Sequence, residues 1–212
     1  MNKLKFILPI LLLTILVLIG GSCGKDENGD VNLGNVNLNK ELSESEIRYV
    51  LNKTADDLGW TGYEISGREG WYTLQVKSGL LVRRGIVIIN VSWLPMLIAE
   101  SNKDNFLNKY YEQEMAMKKE AEMYGYDPEY AGMEVEMIKI SGFDTCHIRE
   151  YLKAWRDLED CSEDDFAHIV IGNYLLQAMT HDMKEGRGVA CEMENVMPVA
   201  DALVKNFLEA LK

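Results

Sequence analysis

From Ile86 to Val91, within Leu81 to Trp93 (LVRRGIVIINVSW), the chain is apolar on both odd and even positions. Successive side chains of a strand point to opposite faces. A run apolar at both parities therefore has to be covered on both sides, which places it centrally in a sheet with packing layers above and below. Pro95 ends it. Phe166 to Met179 repeats the property and reads as a second such strand. Two runs of this kind, with amphipathic helices between and after them, commit the chain to an α+β fold: an antiparallel β-sheet with helices packed on it.

The remaining elements follow from periodicity. Leu42, Ser43, Glu46 and Ile47 stand at N′, N-cap, N3 and N4, giving a capping box and a hydrophobic staple. Ile47, Val50, Leu51 and Leu58 continue at helical spacing until Gly59. Tyr72, Leu74 and Val76 alternate with Thr73, Gln75 and Lys77, as in a strand with one wet face. A helix is expected over 102–124, with Phe106, Tyr110, Met117, Ala121 and Tyr124 as its apolar stripe. Met133, Val135 and Met137 then alternate with glutamates. The phase flips at Ile138 and Ile140, for which a bulge near Met137 would account. A partner strand follows over about 145–152. Asp157 to Asp165 (DLEDCSEDD) holds six acids in nine residues and reads as an exposed loop. The last helix carries Ala200, Leu203, Val204, Phe207, Leu208 and Leu211 on one face.

Two pairs of segments are alike: Glu64–Gly67 with Lys139–Gly142, and Ile86–Asn90 with Ile169–Asn173. Duplication into two strand-strand-strand-helix halves competes here with chance likeness between β-rich segments. The order of elements is similar to that of small sheet-and-helix domains of the PsbP type. That resemblance implies a fold and no function.

The leader addresses the protein. Lys3 and Lys5 precede an apolar run from Phe6 to Ile19, and Gly20, Gly21 and Ser22 lead into Cys23. This is the tripartite pattern of a secretory signal peptide. It resembles a prokaryotic lipoprotein signal, with Gly20 where that family usually has Leu. The resemblance implies cleavage after residue 22, lipidation of Cys23 and anchoring on the extracytoplasmic side of the cell envelope. An uncleaved span and plain secretion are the competing readings. The run is shorter than the ~20 residues a spanning helix wants, and Pro9 interrupts it. Residues 23–40, rich in Gly, Asn and charge, then form a flexible tether. Lys25-Asp26-Glu27 also resembles the surface-export signal of such lipoproteins. One domain, 41–212, follows. Formal net charge is −12, and −14 once the two leader lysines are gone. Such a balance excludes nucleic acid and adhesion to anionic lipid, both of which require basic patches.

Catalytic motifs are missing. No G-x-S-x-G turn, phosphate loop or dinucleotide glycine run occurs. Cys146 and His147 are strand neighbours, so they point to opposite faces and do not make a nucleophile–base pair. A metal site would have to be assembled from His147, His168, His181, Cys146 and Cys191, at spacings that specify none. Asp26, Asn28, Asp30 and Asn32 alternate like a calcium loop, but Val31 stands where the loop needs Gly and no Glu closes it. No cofactor or metal is expected.

Cys146, Cys161 and Cys191 remain beyond the anchor. Three is odd, so at most one bridge forms. With Cys161 in the connection at one end of the sheet and Cys146 at the other, a Cys146–Cys191 disulfide is favoured. It holds if 182–191 does not double back; the alternative is three reduced core thiols. The functional expectation is a membrane-tethered, non-enzymatic binding or assembly module with a protein partner. The alternative is an extracytoplasmic enzyme or metal handler using Cys, His or the acidic loop. If Cys23 carries the anchor, Cys23→Ser moves the protein out of the membrane fraction or blocks its processing. Metabolic labelling with a fatty-acid analogue reads the same point: wild type takes up label and the variant does not.

Overall fold

The two runs that are apolar on both faces do meet. In the computed structural model, which describes residues 36–77, 83–101, 103–123, 131–152, 160–185 and 196–212, β3 (Arg83–Trp93) pairs antiparallel with β7 (Tyr174–Glu185). The register runs from Arg83↔Lys184 to Trp93↔Tyr174. On one side of this seam lie β2 (Trp71–Lys77) and β1 (Tyr63–Arg68). On the other lie β6 (Asp160–Ile171), β5 (Phe143–Leu152) and β4 (Ala131–Ile140). The seven-stranded sheet has the order β1-β2-β3-β7-β6-β5-β4, and every neighbouring pair is antiparallel. The described helices are α1 (Glu44–Asp57), α2 (Pro95–Ser101), α3 (Lys103–Met123) and α4 (Val196–Ala210). The α+β reading of the sequence is the fold observed.

Helices α1 and α4 pack against each other and cover one face. There Leu74, Ile89, Val91, Ile169 and Leu176 are buried with Val50 and Leu51 of α1 and Leu203, Val204 and Phe207 of α4. Helix α3 lies on the opposite face, against β4, β5 and β6. The start of α1 is as read. The Ser43 N–H donates to Glu46 Oε2 (2.8 Å) and the Glu46 N–H to Ser43 Oγ (3.3 Å). The Ser43 backbone bond, then the Lys40 ammonium, hold the Glu46 carboxyl down at about 2. Leu42 and Ile47, the staple, are both buried. Gly59, at φ +68°, follows the helix end.

Tyr174 joins the layers at one end of the sheet. Its ring contacts Phe207 edge-on (4.9 Å between centroids) and Trp93 (4.6 Å), and its hydroxyl accepts the Leu42 N–H at 2.5 Å. Beside it Gly172, at φ +61°, lies under the strap that leads into α1. A Cβ there would stand 2.0 Å from the Leu38 carbonyl oxygen.

Several expectations are corrected. Phe166 to Met179 is not one strand: it is the end of β6, a turn at Gly172-Asn173 and the start of β7. Two apolar strands joined by a two-residue turn look continuous when the turn itself carries little charge. The acidic stretch is not all loop, because Asp160 to Asp165 belong to β6 and Asp165 is buried; residues 153–159 lie outside the described residues. No bulge interrupts β4, whose register with β5 is continuous from Ala131↔Leu152 to Ile140↔Phe143. Its phase flips because the cover changes sides. Met133 and Val135 pack into the cluster beneath α3, whereas Ile138 and Ile140 join the α1/α4 core. On α3 the buried seam is Leu107, with Tyr110 and Tyr111 beside it, and Met117 is exposed.

Helix α2, which Pro95 opens at a position suited to its fixed φ, and β1 extend the expected set. The halves differ, since the first meander has three strands and the second four. The likeness of Ile86–Asn90 to Ile169–Asn173 sets β3 against the end of β6 and the turn after it, and α3 and α4 lie on opposite faces.

Phe207 is fully buried against Tyr174. Phe207→Ala is therefore expected to cost about 3–5 kcal/mol, read from chemical denaturation; a loss below about 1 kcal/mol contradicts this packing.

Candidate functional site

Strand alternation divides the titratable side chains of β5, β6 and β7 between two faces. Cys146, Ile148 and Glu150 face α3, whereas Thr145, His147 and Arg149 face the α1/α4 side. Cys146 and His147 thus diverge, as expected. The topology gives Cys146 a different neighbour: it is directly opposite His168 in the β5–β6 register, and His168 is opposite Gln177 of β7.

This rung is built as core. The Gln177 amide Nε2 donates to His168 Nδ1 at 3.0 Å, which leaves the imidazole proton on Nε2. The Tyr110 ring of α3 packs against the His168 ring at 4.5 Å between centroids, tilted by 37°, and Phe166 lies nearly parallel to it at 6.3 Å. Burial pushes the imidazole down to about 4. Burial, with the nearby Glu114 carboxylate, pushes the Cys146 thiol up to about 12. Tyr110 is pushed up to about 12 by burial, then by Glu114. Both shifts of the Cys–His pair oppose a thiolate–imidazolium couple, so at neutral pH it is an uncharged thiol beside a neutral ring.

Farther along the same face Glu150, Asp164 and His181 occupy one rung across three strands. His181 Nδ1 and Asp164 Oδ1 are 2.6 Å apart. Burial first, then the charges of Asp164 and Glu114, raise the Glu150 carboxyl to about 7. Glu114 itself is raised by burial. It continues the α3 seam of Leu107, Tyr110 and Tyr111 at the next i, i+3, i+4, i+7 position, and a carboxylate on an apolar stripe was the available sequence signal for this cluster. With its carboxyl raised to about 7, Glu150 can hold a proton near neutral pH beside the hydrogen-bonded His181 and Asp164 side chains. Among the described residues, no group of three or more His, Cys, Asp or Glu side chains is disposed to hold a metal ion.

On the other face His147 stands between two carboxylates. Its Nδ1 is 2.8 Å from Glu136 Oε1 and its Nε2 is 2.5 Å from Asp165 Oδ1. Asp165 Oδ2 accepts the N–H of Val196, the first residue of α4, at 3.1 Å. Both neighbours of the ring are acceptors, so both ring nitrogens donate in the protonated form. The Asp165 bond, with a smaller part from Glu136, raises the His147 pKa against the effect of burial.

Among the described residues, the α3 face is unevenly covered. Along β1, β2 and β3 it presents Glu64, Ser66 and Arg68, all exposed, with Thr73, Gln75, Ile88 and Asn90 half-buried. Thr73 Oγ1 donates to Asn90 Oδ1 at 2.7 Å. Trp71, 46% exposed, stands at the rim. Cys23 and Cys191 lie outside the described residues. Cys146 is a buried thiol. Cys161 is seven residues along β6 from the His168 that Cys146 faces, about 23 Å at ~3.3 Å per residue. β7, however, returns the chain to the Cys161 end, since Cys161 is opposite Lys184. β6 and β7 are two strands and not one, so residues 182–185 lie at the Cys161 end of the sheet, away from Cys146; residues 186–191 lie outside the described residues.

No family model matches the chain, and no curated protein matches it either.

The Glu150 shift has a definite sign. Its folded-state pKa lies above the ordinary 4.5, so its favourable contribution is complete below pH 4.5 and is lost as pH rises through about 7. Glu150→Gln is expected to stabilise the domain above pH 7 and to leave it unchanged near pH 4. The gain, on the order of 1 kcal/mol once solvent screening is allowed for, is read from denaturation at the two pH values.

Proposed function

We propose that this protein is a lipid-anchored, extracytoplasmic binding or assembly module that works without catalysis of its own. Cys23 would hold it to the membrane, residues 24–40 would give it reach, and the domain would present its open sheet surface to a protein partner. The observation that carries this reading is the uneven cover of the sheet. A half-buried polar strip of Thr73, Gln75 and Asn90, rimmed by exposed Trp71, is an unusual surface to leave open beside a closed core. Aromatic and amide side chains of this kind suit recognition. The neutral Cys146–His168 pair fits the same reading, because burial has removed the reactivity of both groups.

Glu150 favours a second reading, an extracytoplasmic enzyme that moves a proton on the Glu150–Asp164–His181 rung. Site-specific photo-crosslinking in intact envelopes separates the two. A photoreactive residue at Gln75 or Trp71 is expected to give a discrete adduct, and one at Tyr49, exposed on α1, is expected to give none. Equal labelling at all three positions, or none at any, contradicts a binding surface on the open strip.

A further inference from the structure

We propose that His147 is a proton-operated latch that ties the edge strand β4 to the N-terminus of helix α4 and loosens that end of the helix when it loses its proton. The geometry is that of one ring serving two acceptors: Nδ1 meets Glu136 of β4 at 2.8 Å, and Nε2 meets Asp165 of β6 at 2.5 Å. Asp165 in turn holds the first N–H of α4 through its second oxygen. A carboxylate in that place is favoured by the partial positive charge of a helix N-terminus. The imidazolium is the part of the chain of contacts that can change charge near neutral pH.

The surrounding charges set the direction. On this face β4 contributes Glu134 and Glu136, and β5 contributes Arg149, whose Nη1 is 3.8 Å from Glu134. β6 contributes Asp165. From α4 comes Asp201, which already accepts from Lys205 and from Ser141. Of the two carboxylates on the ring, Glu136 is well exposed and Asp165 is almost wholly buried. When His147 is charged, it compensates both. When it is neutral, it keeps one N–H for two carboxylates, and the buried Asp165 loses the imidazolium charge while Arg149, opposite it in the β5–β6 register, remains. Glu136 can turn to solvent; Asp165 is held by the fold. The cost therefore falls on the joint between Asp165 and Val196.

The sign follows from the raised pKa. The latch contributes fully below pH 6.5, the ordinary imidazole value, and is lost as pH rises through the higher folded-state value. Hydrogen exchange by mass spectrometry on the full chain, corrected for intrinsic exchange, reads the output over 196–199, where Val196, Met197 and Val199 carry the amides and Pro198 has none. NMR titration of the ring reads the input. Protection at 196–199 is expected to be lost as pH rises across the His147 midpoint, which lies above the ordinary imidazole value. The α1 amides of Val50 and Leu51 hold their protection over the same range. Glu136→Gln, at an exposed position, is expected to keep the fold and move both midpoints down together. In His147→Gln the pH dependence at 196–199 disappears. Protection that ignores pH in the wild type, or that falls unchanged in either variant, overturns the latch; if His147→Gln does not fold, the Glu136→Gln midpoint decides.

Discussion

The pairing of β3 with β7 is the constraint on which the rest of this structure depends. It joins two meanders edge to edge, and its partners are far apart in sequence: Asn90 is opposite Gln177. Closing a loop of that length costs entropy that grows only with the logarithm of its size. The cost has to be met by burial, and both strands supply it. Val87, Ile89 and Val91 of β3 lie beside Leu176 and Ala178 of β7 in the α1/α4 core. Once this seam exists, each meander has one free edge, and the two faces of the sheet are large enough to demand separate cover.

That cover is asymmetric, and the asymmetry organises the chemistry. The α1/α4 pair closes its face with aliphatic side chains around Tyr174, whose hydroxyl and ring reach the N-terminal strap, α4 and β3 at once. Among the described residues, helix α3 covers the β4–β6 side of the other face. Beneath it, burial drives groups toward neutrality: His168 down, Cys146, Tyr110, Glu114 and Glu150 up. Beyond it, the same sheet face keeps polar side chains within reach of solvent. A binding surface and a neutralised layer are thus two consequences of where one helix ends its coverage.

The acidic charge of the chain is handled in a similar way. Asp165 belongs to a segment whose composition suits solvent, yet it is buried because it serves a histidine and a helix terminus together. A buried carboxylate without such partners would be strongly disfavoured. Its placement links the edge of the sheet to the last helix.

The sequence by itself determined the elements whose causes are local. The capping box at Ser43 and Glu46, the strand of Tyr72, Leu74 and Val76, and the regular last helix were all legible, because the period of apolar residues and the cap chemistry act within a few residues. So was the need for a central strand at Ile86–Val91. The tertiary structure decided everything that rests on who lies opposite whom. It split Phe166–Met179 into two strands, drew Asp160–Asp165 into the sheet, and explained the β4 phase flip by cover that changes sides. It also set Cys146 opposite His168, and His147 between Glu136 and Asp165. Side-chain alternation tells which residues share a face of one strand; register, and the helix above it, tell which of them meet, and neither is written in any single segment.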